Sequence, residues 1–139
     1  MFLVYEKIKE DEFLNYVTKL KFTVVHFFHK EFQRCQIMDK HLKLLCQEFP
    51  NTQFLAIDAA KAPFFVQKLS IRTLPTLCIF IDGVLKDKVL GFEGLSGDEF
   101  LTYELAARLA ESGAVEAPKG KAKDKTLLKG DRRARNSDS

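Results

Sequence analysis

The run FTVVHFF at residues 22–28 constrains this chain more than any other stretch. It shows no alternation of polar and apolar residues, so neither face of a strand formed there can meet water. Such a strand belongs inside a sheet with helices on both faces. Residues 29–36, HKEFQRCQ, break the run with polar and charged groups. They lead into a helical pattern over 34–49, with Ile37, Met38, Leu42, Leu45 and Phe49 on one side and Pro50-Asn51 ending it.

The flanking segments repeat this alternation of strand and helix. Residues 3–5 predict a short first strand. Residues 10–20, EDEFLNYVTKL, place Phe13, Val17 and Leu20 at helical spacing, with acids in the first turn where the helix dipole favours them. QFLAID at 53–58 predicts a strand, and Pro63 opens a short helix, PFFVQKL. LCIFI at 77–81 is the next strand; Asp82-Gly83 signals a hairpin to a returning strand at 84–90. A last helix is expected over 98–111, with Phe100, Leu101, Leu105 and Leu109. The fold class is α/β: a central mixed sheet, parallel where helices cross over and antiparallel at the hairpin, flanked by helices on both faces.

Charge is divided unevenly along the chain. Residues 113–139 hold 8 Lys/Arg against 4 Asp/Glu, whereas residues 1–112 hold 14 against 15. The division predicts a folded domain at 1–112 and a basic, unpatterned tail at 113–139. A near-neutral body argues against nucleic acid as its partner. No apolar run approaches the length of a membrane span, and the start MFLVYEKIKEDEF lacks the pattern of a secretory signal, so no membrane partner is expected.

The cysteines number three, Cys35, Cys46 and Cys78, at irregular spacing. Cys46 and Cys78 sit in apolar segments, where the thiol acts as a small hydrophobe. An odd, unpatterned set fits a reducing compartment, the cytoplasm with the nucleus also compatible. His29 and His41 have no partners at metal-ligand spacing, so neither metal nor cofactor is predicted.

Three features combine into a resemblance: the order of elements, a Cys-bearing bend after a buried strand, and IRTLPTLCIFIDG at 71–83. Together they resemble the thioredoxin fold over roughly residues 1–111. The resemblance implies a cis-proline loop at Leu74-Pro75, lying beside the bend. The stretches VVHFFHKEFQRCQIMDKHLKLL, KAPFFVQKL and VLGFEGLSGDEFLTYELAARL are similar to the phosducin-like branch of that fold. Even the late RARNSDS resembles that branch's basic, then Ser/Asp-rich, ending. Members of the branch act as co-chaperones of the cytosolic chaperonin, the ring that folds actin and tubulin. Chaperonin subunits and those clients are therefore the partners implied, with this chain a monomer. The branch also carries a long helical region ahead of the domain, whereas this sequence opens next to its first strand, as an excised domain or short isoform would. Contact of the phosducin type with G-protein βγ subunits draws on that earlier region and is not expected here.

Redox members of the fold carry Cys-x-x-Cys at the bend, where an exposed thiolate attacks and the second thiol resolves the mixed disulfide. Here Phe32 stands at the first position and Cys35 at the second, more interior one. Phe32 can neither ionise nor attack, so no dithiol catalysis is expected. The alternative is a single-cysteine oxidoreductase or redox sensor using Cys35. Its thiolate would be favoured by the first helical turn and by Arg34 and Lys30. Against this stands a packed, inert Cys35. His26 takes the place of the buried acid of active members; it is either a satisfied core histidine or a proton carrier. The degenerate site is thus His26, Phe32, Cys35 and Pro75. An exposed Phe32 beside the proline loop would make an apolar patch, with Phe32, Gln33, Arg34, Thr73, Leu74 and Pro75 as candidate protein-binding residues. Of Phe64 and Phe65, at least one ring is expected in the core.

Overall fold

The computed structural model describes residues 4–116. Strands β1 (Tyr5–Ile8), β2 (Phe22–Phe28), β3 (Gln53–Asp58), β4 (Thr76–Ile81) and β5 (Val84–Leu90) form one sheet in the order β1-β3-β2-β4-β5. β3 pairs in parallel with β1 and β2; β4 is antiparallel to both β2 and β5. The helices are α1 (Phe13–Lys19), α2 (Gln33–Glu48), α3 (Pro63–Lys68) and α4 (Thr102–Glu111).

The central strand explains the architecture. Successive residues of β2 alternate between two cores, as strand geometry requires. Val24 joins Met38, Leu42 and Leu45 of α2 and Leu105 and Leu109 of α4. Val25 and Phe27 join Phe13 and Val17 of α1 and Phe65 of α3. Phe54, Leu77 and Ile79 extend the first layer; Leu55, Ile57, Cys78 and Phe80 extend the second. A strand feeding two helical layers must be apolar throughout, which is why FTVVHFF shows no alternation.

Several boundaries differ from expectation. The first strand lies at 5–8 rather than 3–5, so Tyr5 begins it. The expected helix at 10–20 starts as a 3-10 turn at Glu10–Glu12, where the Glu12 carboxylate accepts the Lys9 N–H at 2.9 Å. The last helix starts at Thr102, not 98. Its start is set by Glu104, whose carboxylate accepts the Leu101 N–H at 2.9 Å and the Ser96 N–H at 2.9 Å. Residues 97–100 form a turn, the Phe100 N–H donating to the Gly97 carbonyl at 3.0 Å, and Phe100 folds inward to stack on His41 at 4.1 Å. The hairpin turn has positive φ at both Asp82 (53°) and Gly83 (78°), the mirror-image turn that matches strand twist.

The expected boundary at 112 falls too early. Gly113, at φ 83°, reverses the chain after α4, and the Ala114 N–H returns to the Leu109 carbonyl at 3.0 Å. This turn buries Ala114 and Val115 against the first core, with the Thr52 hydroxyl donating to the Ala114 carbonyl at 2.6 Å. The folded body therefore includes Val115. From Ala117 onward, the basic tail lies outside the described residues.

Candidate functional site at the bend after the central strand

β2 ends at Phe28, and the chain turns through His29, Lys30 and Glu31 into α2. The His29 carbonyl accepts the Phe32 N–H at 3.0 Å. Phe32 itself is the cap residue, in extended conformation, and its carbonyl accepts the Cys35 N–H at 3.0 Å. Its side chain has no oxygen with which to bond the first helical N–H groups, unlike the residues usually found at a cap. The ring is 46% exposed and stacks on His29 with centroids 4.8 Å apart. An apolar ring is thus held at an exposed bend, with His29 as its stacking partner.

Cys35 lies in the first turn of α2 and is 1% exposed. It packs with Phe28 and Ala56, and Leu74 covers the cluster. The His29 N–H points at its sulfur at 3.5 Å. Burial pushes the thiol up, the His29 N–H draws it back in part, and the Asp39 carboxylate pushes it further up. Arg34 supplies no counterweight to this. It turns outward to Asp98 at 2.7 Å and lies over the Phe92 ring at 4.9 Å. The thiolate support expected from Arg34 is absent because its charge is already paired on the surface. A buried thiol raised above its ordinary range is a poor nucleophile. Both partners of the Arg34–Asp98 pair are more than half exposed. Arg34→Ala is expected to cost less than about 1 kcal/mol in a urea melt.

The proline loop closes the other side. The Leu74–Pro75 peptide is cis. The Pro75 carbonyl accepts the Gly91 N–H at 2.8 Å, and the Thr73 carbonyl accepts the Thr76 hydroxyl. Thr73 is exposed, Leu74 half-buried and Pro75 buried; Gln33 and Arg34 are exposed. Leu74 thus meets Cys35 across the cluster, as the resemblance implies, while Arg34 leans away toward Asp98.

Beneath the bend lies a polar cluster that sequence reasoning located only at His26. His26 is fully buried on β2. Its Nδ1 lies 2.9 Å from Asp39 Oδ1 and 2.8 Å from the Tyr5 hydroxyl. Tyr5 donates its one hydrogen to Asp39 Oδ1 at 2.6 Å. Asp39 can only accept, so His26 Nδ1 carries a hydrogen and donates it to the same oxygen. Nε2 is then left buried without a partner among the described residues. Burial alone would raise Asp39, but the hydrogen bonds from His26 and Tyr5, with their positive surroundings, bring it below the usual carboxylate range. The Tyr5 phenol is pushed far up by burial and by Asp39. His26 is therefore a core histidine satisfied on one side only. Asp39 was legible as the residue one turn after Cys35, on the same helix face. Tyr5 was not, because its role needs the register of β1. Of the two adjacent rings at 64–65, Phe65 is buried and Phe64 is exposed.

Comparison with known proteins supports the same assignment. The thioredoxin family model matches residues 4–101. The chain is 45% identical over 112 residues to thioredoxin domain-containing protein PLP3A of Arabidopsis thaliana, covering 80% of this chain and 49% of that protein. It is 44% identical to phosducin-like protein 3 of Dictyostelium discoideum, covering 80% and 61%. With human thioredoxin domain-containing protein 9 it shares 38% over 104 residues, covering 74% and 46%. The chain thus spans about half the length of the curated relatives it matches. Among solved structures, thioredoxin f from spinach chloroplast superposes with a TM-score of 0.68 over 81% of this chain and 88% of that one, at 19% identity. The chain belongs to the thioredoxin family, and the relatives it matches there include phosducin-like proteins.

Proposed function

We propose that this chain is a redox-inactive, protein-binding thioredoxin-like module, and that it serves as a phosducin-like co-chaperone of the cytosolic chaperonin in the folding of actin and tubulin. One observation carries the reading. The position of the attacking thiol is taken by Phe32, exposed and stacked on His29, while the remaining thiol is buried beneath it. The bend keeps its shape and has exchanged a nucleophile for an apolar anchor. Exposed aromatic anchors dominate many protein interfaces. The choice of chaperonin as partner comes from the resemblance to the phosducin-like branch, and the match to a phosducin-like protein supports that resemblance.

The test is capture of purified cytosolic chaperonin by the 139-residue chain, with chaperonin ATPase rate followed in parallel. Binding is expected, and Phe32→Ala should weaken it by roughly tenfold, the cost of losing one aromatic anchor. Unchanged affinity in Phe32→Ala would remove the bend from the interface. An insulin-reduction assay with dithiothreitol separates the redox alternative. The chain is expected to add nothing to the background rate; an enhancement abolished by Cys35→Ser would overturn the redox-inactive reading.

A further inference from the structure

The loop between β5 and α4 carries the chain's one hydroxyl followed by acids at both the second and the third position, in Ser96-Gly97-Asp98-Glu99. Ser96, Asp98 and Glu99 are all exposed, as is Glu93 three residues ahead. Ser96 lies outside any helix or strand, between Gly94 at φ 80° and Gly97 at φ 133°. The space at Gly97 is open: beyond its chain neighbours, no atom lies within 4 Å of where a Cβ would stand. Gly94 meets only the Arg108 side chain there. The loop can therefore extend locally at the expense of few contacts. Other hydroxyls do not share this setting. Thr23, Thr52 and Thr76 are buried, Ser70 and Thr73 flank Ile71-Arg72, and Thr18 precedes Lys19 and Lys21. Ser112 is held between Arg108 and Asp87, and Thr102 lies 2.7 Å from His41 Nδ1.

Ser96 is also tied to the start of α4. The Glu104 carboxylate accepts the Ser96 hydroxyl at 3.0 Å and the Ser96 N–H at 2.9 Å. The same carboxylate accepts the Leu101 N–H at 2.9 Å, so one side chain holds the loop and caps the helix. Of the two acids after Ser96, Asp98 pairs with Arg34 at 2.7 Å. Both partners are more than half exposed, and a surface pair of this kind opens to water at little cost. Glu99 has no ion pair among the described residues.

We propose that Ser96 is a phosphorylation site for an acid-directed protein kinase, and that its phosphate displaces Glu104 from the start of α4. A kinase with a basic substrate groove selects Asp98 and Glu99 by charge. The Ser96 oxygen attacks the γ-phosphorus of Mg-ATP. The new O–P bond forms as the bond from that phosphorus to the bridging oxygen of ADP breaks, and the hydroxyl proton passes to the kinase's base. The modified oxygen has no hydrogen left to donate to Glu104. It carries instead a group of about −1.5 to −2 charge at pH 7, set beside a carboxylate. Like charges at that range repel, so Glu104 leaves and the Leu101 N–H loses its acceptor. This site is separate from the bend and does not depend on the chaperonin reading.

The test incubates the full chain with Mg-ATP and a purified acid-directed serine/threonine kinase, and in parallel with one that requires basic residues, and maps the phosphate by tandem mass spectrometry. Phosphate is expected on Ser96 with the first kinase and not with the second. Asp98→Asn combined with Glu99→Gln should slow labelling of Ser96 by roughly tenfold or more, with circular dichroism checking the fold. Comparing the two kinases on the unmodified chain keeps the test independent of how the variant folds. In the phosphorylated chain, exchange of the Leu101 amide should quicken by roughly tenfold or more, because its acceptor has gone. No phosphate on Ser96, equal labelling by the two kinases, an unchanged rate in the double variant, or an unchanged Leu101 amide in the phosphorylated chain would overturn the proposal.

Discussion

Asp39→Ala is expected to destabilise the chain by about 1–3 kcal/mol in urea denaturation, because it removes the one acceptor that buried His26 and half-buried Tyr5 share. In the native cluster, Tyr5 and His26 both donate to Asp39 Oδ1. Without it, the His26 N–H can donate to the Tyr5 hydroxyl oxygen 2.8 Å away, which leaves the Tyr5 hydrogen without its acceptor. Tyr5 can donate to Nδ1 only if the imidazole hydrogen moves to Nε2. That nitrogen is buried and has no partner among the described residues to receive the bond. Either arrangement orphans one donor, so relaxation recovers little. Asp39→Asn keeps a carbonyl acceptor and should cost about 1 kcal/mol. The carboxylate also gives the cluster a pH signature. Its folded pKa is depressed, so its contribution is present above the unfolded value near ~3.9 and is lost as pH falls through the folded value. The acid limb of the stability profile should flatten in Asp39→Asn. Equal stability of Asp39→Ala and the native chain, or an unchanged acid limb in Asp39→Asn, would mean that the cluster is solvated rather than buried.

The layers of this fold were legible because they rest on local pattern. FTVVHFF, QFLAID and the strand at 84–90 were placed to the residue, since continuous apolar runs and the Asp82-Gly83 turn leave few alternatives. The start of the last helix was not legible. Phe100 and Leu101 fit a helical stripe, but Glu104 caps the helix later and Phe100 serves the core from a loop. Ala114 and Val115 were assigned to the tail by composition, yet a single glycine turn returns them to the core.

The site divides in the same way. Phe32 and Cys35 could be read directly, because replacing one thiol of a pair by a phenyl ring is a change of chemistry visible in one residue. For Cys35 two readings stood, a packed, inert thiol and a supported thiolate, and its burial favours the first. Charged neighbours in sequence, Arg34 and Lys30, suggested a supported thiolate. In space, Arg34 belongs to Asp98 and Phe92, and the carboxylate that faces the thiol comes from a full turn further along α2. Burial, the largest cause, and this carboxylate both push the thiol up. The polar cluster below the bend also joins three elements, β1, β2 and α2, and only the parallel register of β1 on β3 brings Tyr5 to it. Long-range register is what a local pattern lacks.

Alkaline destabilisation centred on Cys78 is the other large effect expected. Cys78 is fully buried on β4, opposite Val25 of β2 and Lys88 of β5. Burial pushes its thiol up to about 12, with Lys88 drawing it back only in part. In the unfolded chain the same thiol ionises near ~8.5–9. A raised folded pKa means the stabilising contribution is complete below the unfolded value and is lost as pH rises toward the folded one. At a rate of about 1.4 kcal/mol per pH unit, the loss should reach about 2–3 kcal/mol by roughly pH 11. Cys35 and Tyr5, both raised, act in the same direction. Urea melts of the native chain and of Cys78→Val, compared at neutral pH and at intervals above ~9, isolate the Cys78 share. The variant removes the ionisable group while roughly conserving volume, so its neutral-pH stability should change by less than about 1.5 kcal/mol. Its alkaline limb should be shallower by about 2 kcal/mol. Parallel limbs would show that the thiol titrates alike in both states, and that β4 opens to solvent well before the rest of the sheet.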